Sequence, residues 1–192
     1  MGPVLTEHPA TPGKTSDPWL PAAVILPTFL VAFATLLLMC DGTRVAPVWP
    51  ANAVMLALLL QTPVEVWGQG LSAGACGLIL ASLIDGCLSV TSAVLTADNL
   101  LEVLFCAGLL RAWAGRDLDL RRPKHLLMFL LAAGLTAPLV SAVCAGGFLA
   151  VVRGRPFAGV ATAWYVGDAL GLVIATPLLL LASQRLRRMW LA

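Results

Sequence analysis

Six stretches of the chain are almost continuously apolar: roughly 20–40, 46–63, 66–84, 87–110, 126–151 and 158–183. A short break carrying charge or proline separates each from the next. A bilayer core of about 30 Å takes about 20 apolar residues of helix, so each run predicts a helix that crosses a membrane. Membrane strands would alternate in polarity over about ten residues, whereas these runs are Leu- and Ala-rich at successive positions. The pattern therefore predicts an all-α fold, a polytopic transmembrane helix bundle of about six spans.

The second run is the shortest. Pro47 and Pro50 open it and Pro63 closes it, leaving roughly 17 residues, the lower limit for a span. It is counted as a crossing because omitting it would put the basic loop 111–124 and the basic tail 185–188 on the outer face.

Lysine and arginine set the expected orientation. With six crossings and the N-terminus inside, the inner segments hold Lys14, then Arg111, Arg116, Arg121, Arg122 and Lys124, then Arg185, Arg187 and Arg188. The outer segments hold Arg44, Arg153 and Arg155, so nine of the twelve basic residues fall inside. The positive-inside bias then predicts a multi-pass membrane protein with both termini cytoplasmic. The domain organisation expected is a disordered cytoplasmic tail over 1–19, a membrane domain over 20–184 and a basic exit segment over 185–192. The apolar run after the tail is too long for the core of a cleaved signal peptide and lacks a small-residue cleavage site.

Composition narrows the function. Apolar residues make up 59% of the chain and charged residues 11%, with a mean hydropathy of +0.91; soluble domains carry about 25% charged residues. No room is left for a soluble catalytic domain. A net charge of +2 gives no footprint for a nucleic-acid partner. There is no phosphate-binding glycine loop, no zinc-protease or serine-hydrolase motif and no cyclic-dinucleotide enzyme signature. We expect no enzyme activity, no catalytic residue, no cofactor and no metal. The cysteines Cys40, Cys76, Cys87, Cys106 and Cys144 lie far apart and read as small packing residues.

Polar residues inside the runs carry the remaining signal. An ionisable side chain at the bilayer centre costs about 2.5–3.5 kcal/mol on insertion scales and must turn inward to a partner. Asp98, Asn99 and Glu102 lie midway along the fourth run, and Asp168 lies near the middle of the sixth. At 100° per residue, Asp98 is about 40° and Asn99 about 60° from Glu102, so all three share a face. Asn52, one turn into the second run, should also turn inward. Interhelical packing alone explains any one of these groups, but three carboxyls in so small an apolar protein exceed what packing needs. If the second, fourth and sixth helices run the same way, Asn52, Asn99, Glu102 and Asp168 lie at similar depths, and we expect one interior site opening toward the periplasm.

Trp49, Trp67, Trp113 and Trp164 fall near run ends, where tryptophan favours the headgroup level. Trp67 and Trp113 are read as that interfacial belt. Trp49 and Trp164 stand a few residues before Asn52 and Asp168 and are read as an aromatic rim to the site. Gly70-x-x-x-Gly74 and Gly167-x-x-x-Gly171 put small residues one turn apart, predicting close helix packing.

Particular strings carry a resemblance. Ala46-Pro47-Val48-Trp49-Pro50-Ala51-Asn52-Ala53, Asp98-Asn99-Leu100-Leu101-Glu102 leading to Leu109-Leu110-Arg111, Ala137-Pro138-Leu139-Val140-Ser141-Ala142, and Trp164-Tyr165-Val166-Gly167-Asp168-Ala169-Leu170-Gly171 with Thr176-Pro177-Leu178 occur in that order. Together they resemble the bacterial membrane-associated sensor domain, MASE family one; Asp98 stands where the family usually has glycine. The resemblance implies an input module of signal transduction. Its output would be a cyclic-di-GMP enzyme or histidine kinase in the same or a partner chain. The expected partners are the lipid bilayer, that cytoplasmic output and a small-molecule or protein signal of unknown identity. The candidate ligand-binding or signalling residues are Trp49, Asn52, Asn99, Glu102, Trp164 and Asp168. The alternatives from the residues alone are a small proton-coupled transporter, using the intramembrane carboxyls, and a membrane scaffold subunit.

Overall fold

A computed structural model describes residues 20–37, 48–86, 88–116 and 118–190. The N-terminal tail, Cys40, Arg44, Pro47 and Cys87 lie outside the described residues, and with them the expectations placed on those positions. Among the described residues the chain forms six helices and no strand: α1 (Leu20–Leu37), α2 (Ala51–Gln61), α3 (Trp67–Ile84, entered through a 3-10 turn at Val64–Val66), α4 (Val90–Ala114), α5 (Pro123–Arg153) and α6 (Phe157–Trp190). The predicted all-α bundle is therefore found. Four segments, Val64–Ile84, Val90–Ala114, Pro123–Arg153 and Phe157–Ser183, are long and apolar enough to cross a membrane.

Local chemistry sets the helix ends. Ser89 is extended and accepts from the Ser92 backbone N–H, while the Ser92 hydroxyl accepts from Ser89, so α4 opens on a reciprocal cap. It closes at Gly115, whose φ of 72° lies in the region that favours glycine. Pro123 occupies the first turn of α5, where its missing N–H costs nothing. Deeper in α5, Pro138 has no N–H to offer the Gly134 carbonyl, and the helix widens into a π turn over Leu130–Thr136. The Tyr165 hydroxyl of α6 donates to the Gly134 oxygen at 2.9 Å, which satisfies the carbonyl that proline leaves without its usual donor.

The second run departs from its expected length. Only Ala51–Gln61 is helical, about 16 Å at 1.5 Å per residue, roughly half of the bilayer core. The cause lies in the prolines: Pro50 stands at the helix start, and Thr62, held extended before Pro63 at ψ 155°, ends it. Eight of its eleven residues are buried, Asn52, Met55, Leu56 and Leu59 among them. A helix apolar on every side belongs in the middle of a bundle, and α2 is that middle.

The glycine pairs set α2 in place. A methyl group on Gly70 would meet Leu59 at 3.2 Å, one on Gly74 would meet the Met55 sulfur, and one on Gly171 would meet the Trp49 carbonyl and the Pro50 nitrogen. Both predicted small-residue motifs thus pack the same short helix, one along its side and one at its entry. Contacts between helices also fix relative direction. Asn52 meets Asn99 and Glu102 while Leu59 and Thr62 meet Arg111, so α2 and α4 are parallel. Met55 over Gly74 and Leu59 over Gly70 make α3 antiparallel to α2. Asp98 with Ser141 and Thr91 with Arg153 make α5 antiparallel to α4. Ser141 with Trp164 and Gly134 with Val173 make α6 antiparallel to α5. Helices α2, α4 and α6 therefore point one way and α3 and α5 the other, the alternation that successive crossings require.

The core is built from Met55, Leu56, Leu59, Val103, Leu110, Phe129 and Leu172, while Leu101, Leu139, Val140, Ile174 and Leu178 face outward. That outward apolar surface suits lipid rather than water. Cys106 is packed in the core, whereas Cys76 and Cys144 lie on the exposed face; all three are free thiols.

Candidate functional site

The polar residues predicted to turn inward meet in one cluster between α2, α4, α5 and α6. Asn52 is its hub, 0% exposed. Its amide nitrogen donates to Asn99 Oδ1 at 2.7 Å and to Glu102 Oε2 at 2.6 Å. Asn99 directs its own nitrogen to the Leu95 carbonyl at 2.8 Å, which fixes its oxygen toward Asn52. The position of Asn52, one residue past the Pro50-Ala51 entry of α2, is set from the other side by α6. There the Trp49 N–H donates to the Gly167 carbonyl at 3.0 Å, and the Gly171 surface receives the Trp49-Pro50 backbone.

Asp168 follows Gly167 directly, so that backbone bond delivers its side chain to the same level. The Glu102 and Asp168 carboxyls lie at one level, each one turn beyond a residue, Asp98 on α4 and Trp164 on α6, that meets Ser141. Ser141 ties in the third carboxyl, donating to Asp98 Oδ2 at 2.7 Å while accepting from Trp164 Nε1 at 3.0 Å. Asn52, Asn99, Glu102, Asp168 and Trp164 are thus brought together, and Trp49 is held beside them through its backbone. The expected opening toward one face is not found: Asn52, Asn99, Glu102 and Asp168 are 0%, 5%, 3% and 3% exposed. The short α2, capped by the Trp49-Pro50 chain against α6, closes the site instead.

Two groups join the cluster beyond the six candidate residues. Asp98 is costly in the sequence, but the partner that draws it in is not legible there. Ser141 stands in the Ala137–Ala142 string, and the signal that finds it is a hydroxyl in a helix otherwise apolar for a turn on either side. Among the described residues, no group of histidine, cysteine or acidic side chains has the makings of a metal site.

A second polar centre lies at the far end of α2. Trp67 Nε1 donates to the Leu59 carbonyl at 2.8 Å, and the Arg111 guanidinium donates to the Thr62 carbonyl at 2.9 Å while lying 5.4 Å from the Trp67 ring centroid. The carbonyls at the end of α2 lack a full set of helical partners and are closed by these two side chains together with the Thr62 N–H to Leu59, and the positive charge sits at the negative end of the helix dipole. Trp67 is therefore a buried cap for α2 and not part of an interfacial belt. Its N–H is satisfied by carbonyls of the chain and its ring is packed in the core. Trp113 is exposed.

Comparison with known proteins adds one match. The MASE1 family matches the chain over residues 20–190, a range that contains every residue of both polar centres. No curated protein and no solved structure matches the chain. With a match of that extent and the helical membrane architecture it requires, the chain belongs to the MASE1 family of membrane-associated sensor domains.

Proposed function

We propose that the chain is the sensory input module of a bacterial signalling protein, lodged in the inner membrane with both ends cytoplasmic. Its closed polar cluster is the sensing element, and α6 carries the resulting shift to a cytoplasmic output in the same or a partner chain. The observation that carries this reading is the convergence of Asn52, Asn99, Glu102 and Asp168, drawn from three helices, on one buried network. Membranes exact a cost for every ionisable group they enclose, and a bundle that needed only packing could be held by small residues and hydroxyls. The helix α6 also extends through the basic segment to Trp190, beyond the apolar span that ends at Ser183. Arg185, Arg187 and Arg188 would lie there at the inner surface, each attracted to anionic lipid by about 1 kcal/mol.

The test uses the domain joined to an output with a measurable activity. Glu102→Gln and Asp168→Asn remove charge but keep shape and hydrogen-bonding capacity. The expected result is a response lost or locked, with the protein still inserted and folded; an unchanged response in both variants would sink the sensing role. For the orientation, reporter fusions after Arg122 and after Arg188 are expected on the cytoplasmic side and a fusion after Arg155 on the outer side. Opposite sides for Arg122 and Arg188 would rule the arrangement out.

A further inference from the structure

The hydrogen-bond account of the cluster does not balance. Asn52 spends both amide hydrogens, on Asn99 and Glu102. Ser141 spends its hydrogen on Asp98, and Trp164 spends its own on Ser141. Three fully enclosed acceptors are left without a donor: Asn52 Oδ1, Glu102 Oε1 and Asp168 Oδ2. They lie close together: Glu102 Oε1 shares a carboxyl with the oxygen 2.6 Å from the Asn52 nitrogen, and Asp168 stands at the level of Glu102, each four residues beyond a residue that meets Ser141 on the parallel helices α4 and α6. Trp49 Nε1, Thr28 Oγ1, Arg111 Nε and Thr176 Oγ1 are buried groups that also lack a partner, and none of them is bonded to these oxygens.

Charge does not balance either. The charged groups acting on Glu102 and Asp168 are one another and Asp98. On the elements packed against the pair, α2 presents the neutral Asn52, α5 presents Ser141, and α4 adds the Cys106 thiol beside Glu102. Arg111 is engaged at the other end of α2. Two carboxyls in contact within an apolar bundle need a hydrogen between them, since two bare carboxylates repel and offer each other no donor. Both side chains are almost wholly enclosed, at 3% exposure each, and a hydrogen carried by one carboxyl supplies a donor without adding a heavy atom.

We propose that the Glu102–Asp168 pair is a proton-binding site, holding one exchangeable proton that is the species the module senses. One O–H bond forms, on Glu102 Oε1 or Asp168 Oδ2, and the charge of the pair passes from minus two to minus one. The bound hydrogen supplies the donor for the facing carboxyl, with the Asn52 oxygen as a second acceptor. When the proton leaves to water, two like charges remain in contact, and α4 and α6 are driven apart at that level. This assignment of the signal rests on the reading of the cluster as a sensing element, whereas the existence of the proton site does not.

Infrared spectroscopy of the full chain in lipid bilayers tests it without an output domain. The expected result is a carbonyl stretch of a protonated carboxyl at neutral pH, above the amide I band, that moves down on exchange into D2O. It is expected to vanish in Glu102→Gln and in Asp168→Asn and to persist in Asp98→Asn. Labelling with 13C-carboxyl glutamate or aspartate in the unsubstituted chain assigns the band even if a variant fails to fold. Of the two glutamates among the described residues, Glu65 is exposed and Glu102 is buried in the bundle. The absence of the band in the unsubstituted protein overturns the proposal, and that is also the outcome if a bound amine or metal ion neutralises the pair. Persistence in the Glu102→Gln, Asp168→Asn double variant, or loss in Asp98→Asn alone, overturns it too. A band that behaves as expected beside an unchanged signalling response would leave the proton site standing and remove its sensory role.

Discussion

Gly171→Ala is expected to destabilise the bundle by about 3 kcal/mol, the upper end of the usual range for overpacking. The added methyl would fall on the Trp49 carbonyl and the Pro50 nitrogen. Both are backbone atoms at a proline, and no side-chain rotation can move them. The displaced segment also carries the Trp49 N–H to Gly167 bond and positions Asn52 one turn on, so the cost extends to the polar cluster. Gly74→Ala is the control, because its methyl meets the Met55 thioether, a flexible side chain that can swing aside; we expect about 1 kcal/mol there. A methyl group on Gly108 would enter open space, and Gly108→Ala should leave stability unchanged. Reversible unfolding in bilayers or mixed micelles, followed for all three, checks the order. Equal losses at Gly171 and Gly108 would show that the Trp49 segment does not rest on α6.

Asn52→Leu is expected to cost about 2–6 kcal/mol, from two acceptors left in the bundle with no donor at about 1–3 kcal/mol each. Interhelical hydrogen bonds in membranes average only about 0.6 kcal/mol in double-mutant cycles, because unfolded helices in lipid find other partners. The Asn52 case should exceed that average, since one of its acceptors is a carboxyl oxygen at 2.6 Å and charge-assisted bonds are the stronger kind. Asn52→Asp tests the mechanism. It keeps the volume but replaces the donor facing Glu102 with a further carboxyl, and it should be at least as damaging as leucine. The same unfolding assay decides. If Asn52→Asp proves as stable as the unsubstituted chain, the amide is not the donor that holds Asn99 and Glu102.

Much of the bundle was legible because its signal is carried by side chains. Continuous apolar runs mark the helices, and ionisable residues within them must turn inward, so Asn52, Asn99, Glu102 and Asp168 identified themselves before any contact was known. What stayed hidden involves the backbone. The Leu59 and Thr62 carbonyls that bind Trp67 and Arg111 have no letter of their own, and a tryptophan at a run end serves a headgroup or a helix terminus equally well. The length of α2 was hidden for a related reason. An apolar run reads the same whether it is helical throughout or flanked by extended residues, and only burial on every side shows that α2 need not meet lipid at all. Closure of the site followed from that burial, so the open funnel expected from depth alone could not be corrected in advance.

The two ends of α2 are tied to the same neighbour. Asn52 grips Asn99 and Glu102 at one end, and Leu59 and Thr62 are gripped by Arg111 at the other. From Asn52 to the helix end at Gln61 is about 14 Å, with Thr62 the next residue, and from Glu102 to Arg111 about 14 Å, so the tie points match in spacing on parallel rods. Two pins at equal separation remove both sliding and swivelling between α2 and α4, and the pair has the degrees of freedom of one body. Against α6 the same body is seated over one turn, where the Trp49-Pro50 backbone meets Gly167 and Gly171. From that turn α6 runs on to Trp190, some 19 residues or about 29 Å beyond Gly171. A small tilt of α6 on its seat would therefore reach Trp190 as a larger displacement.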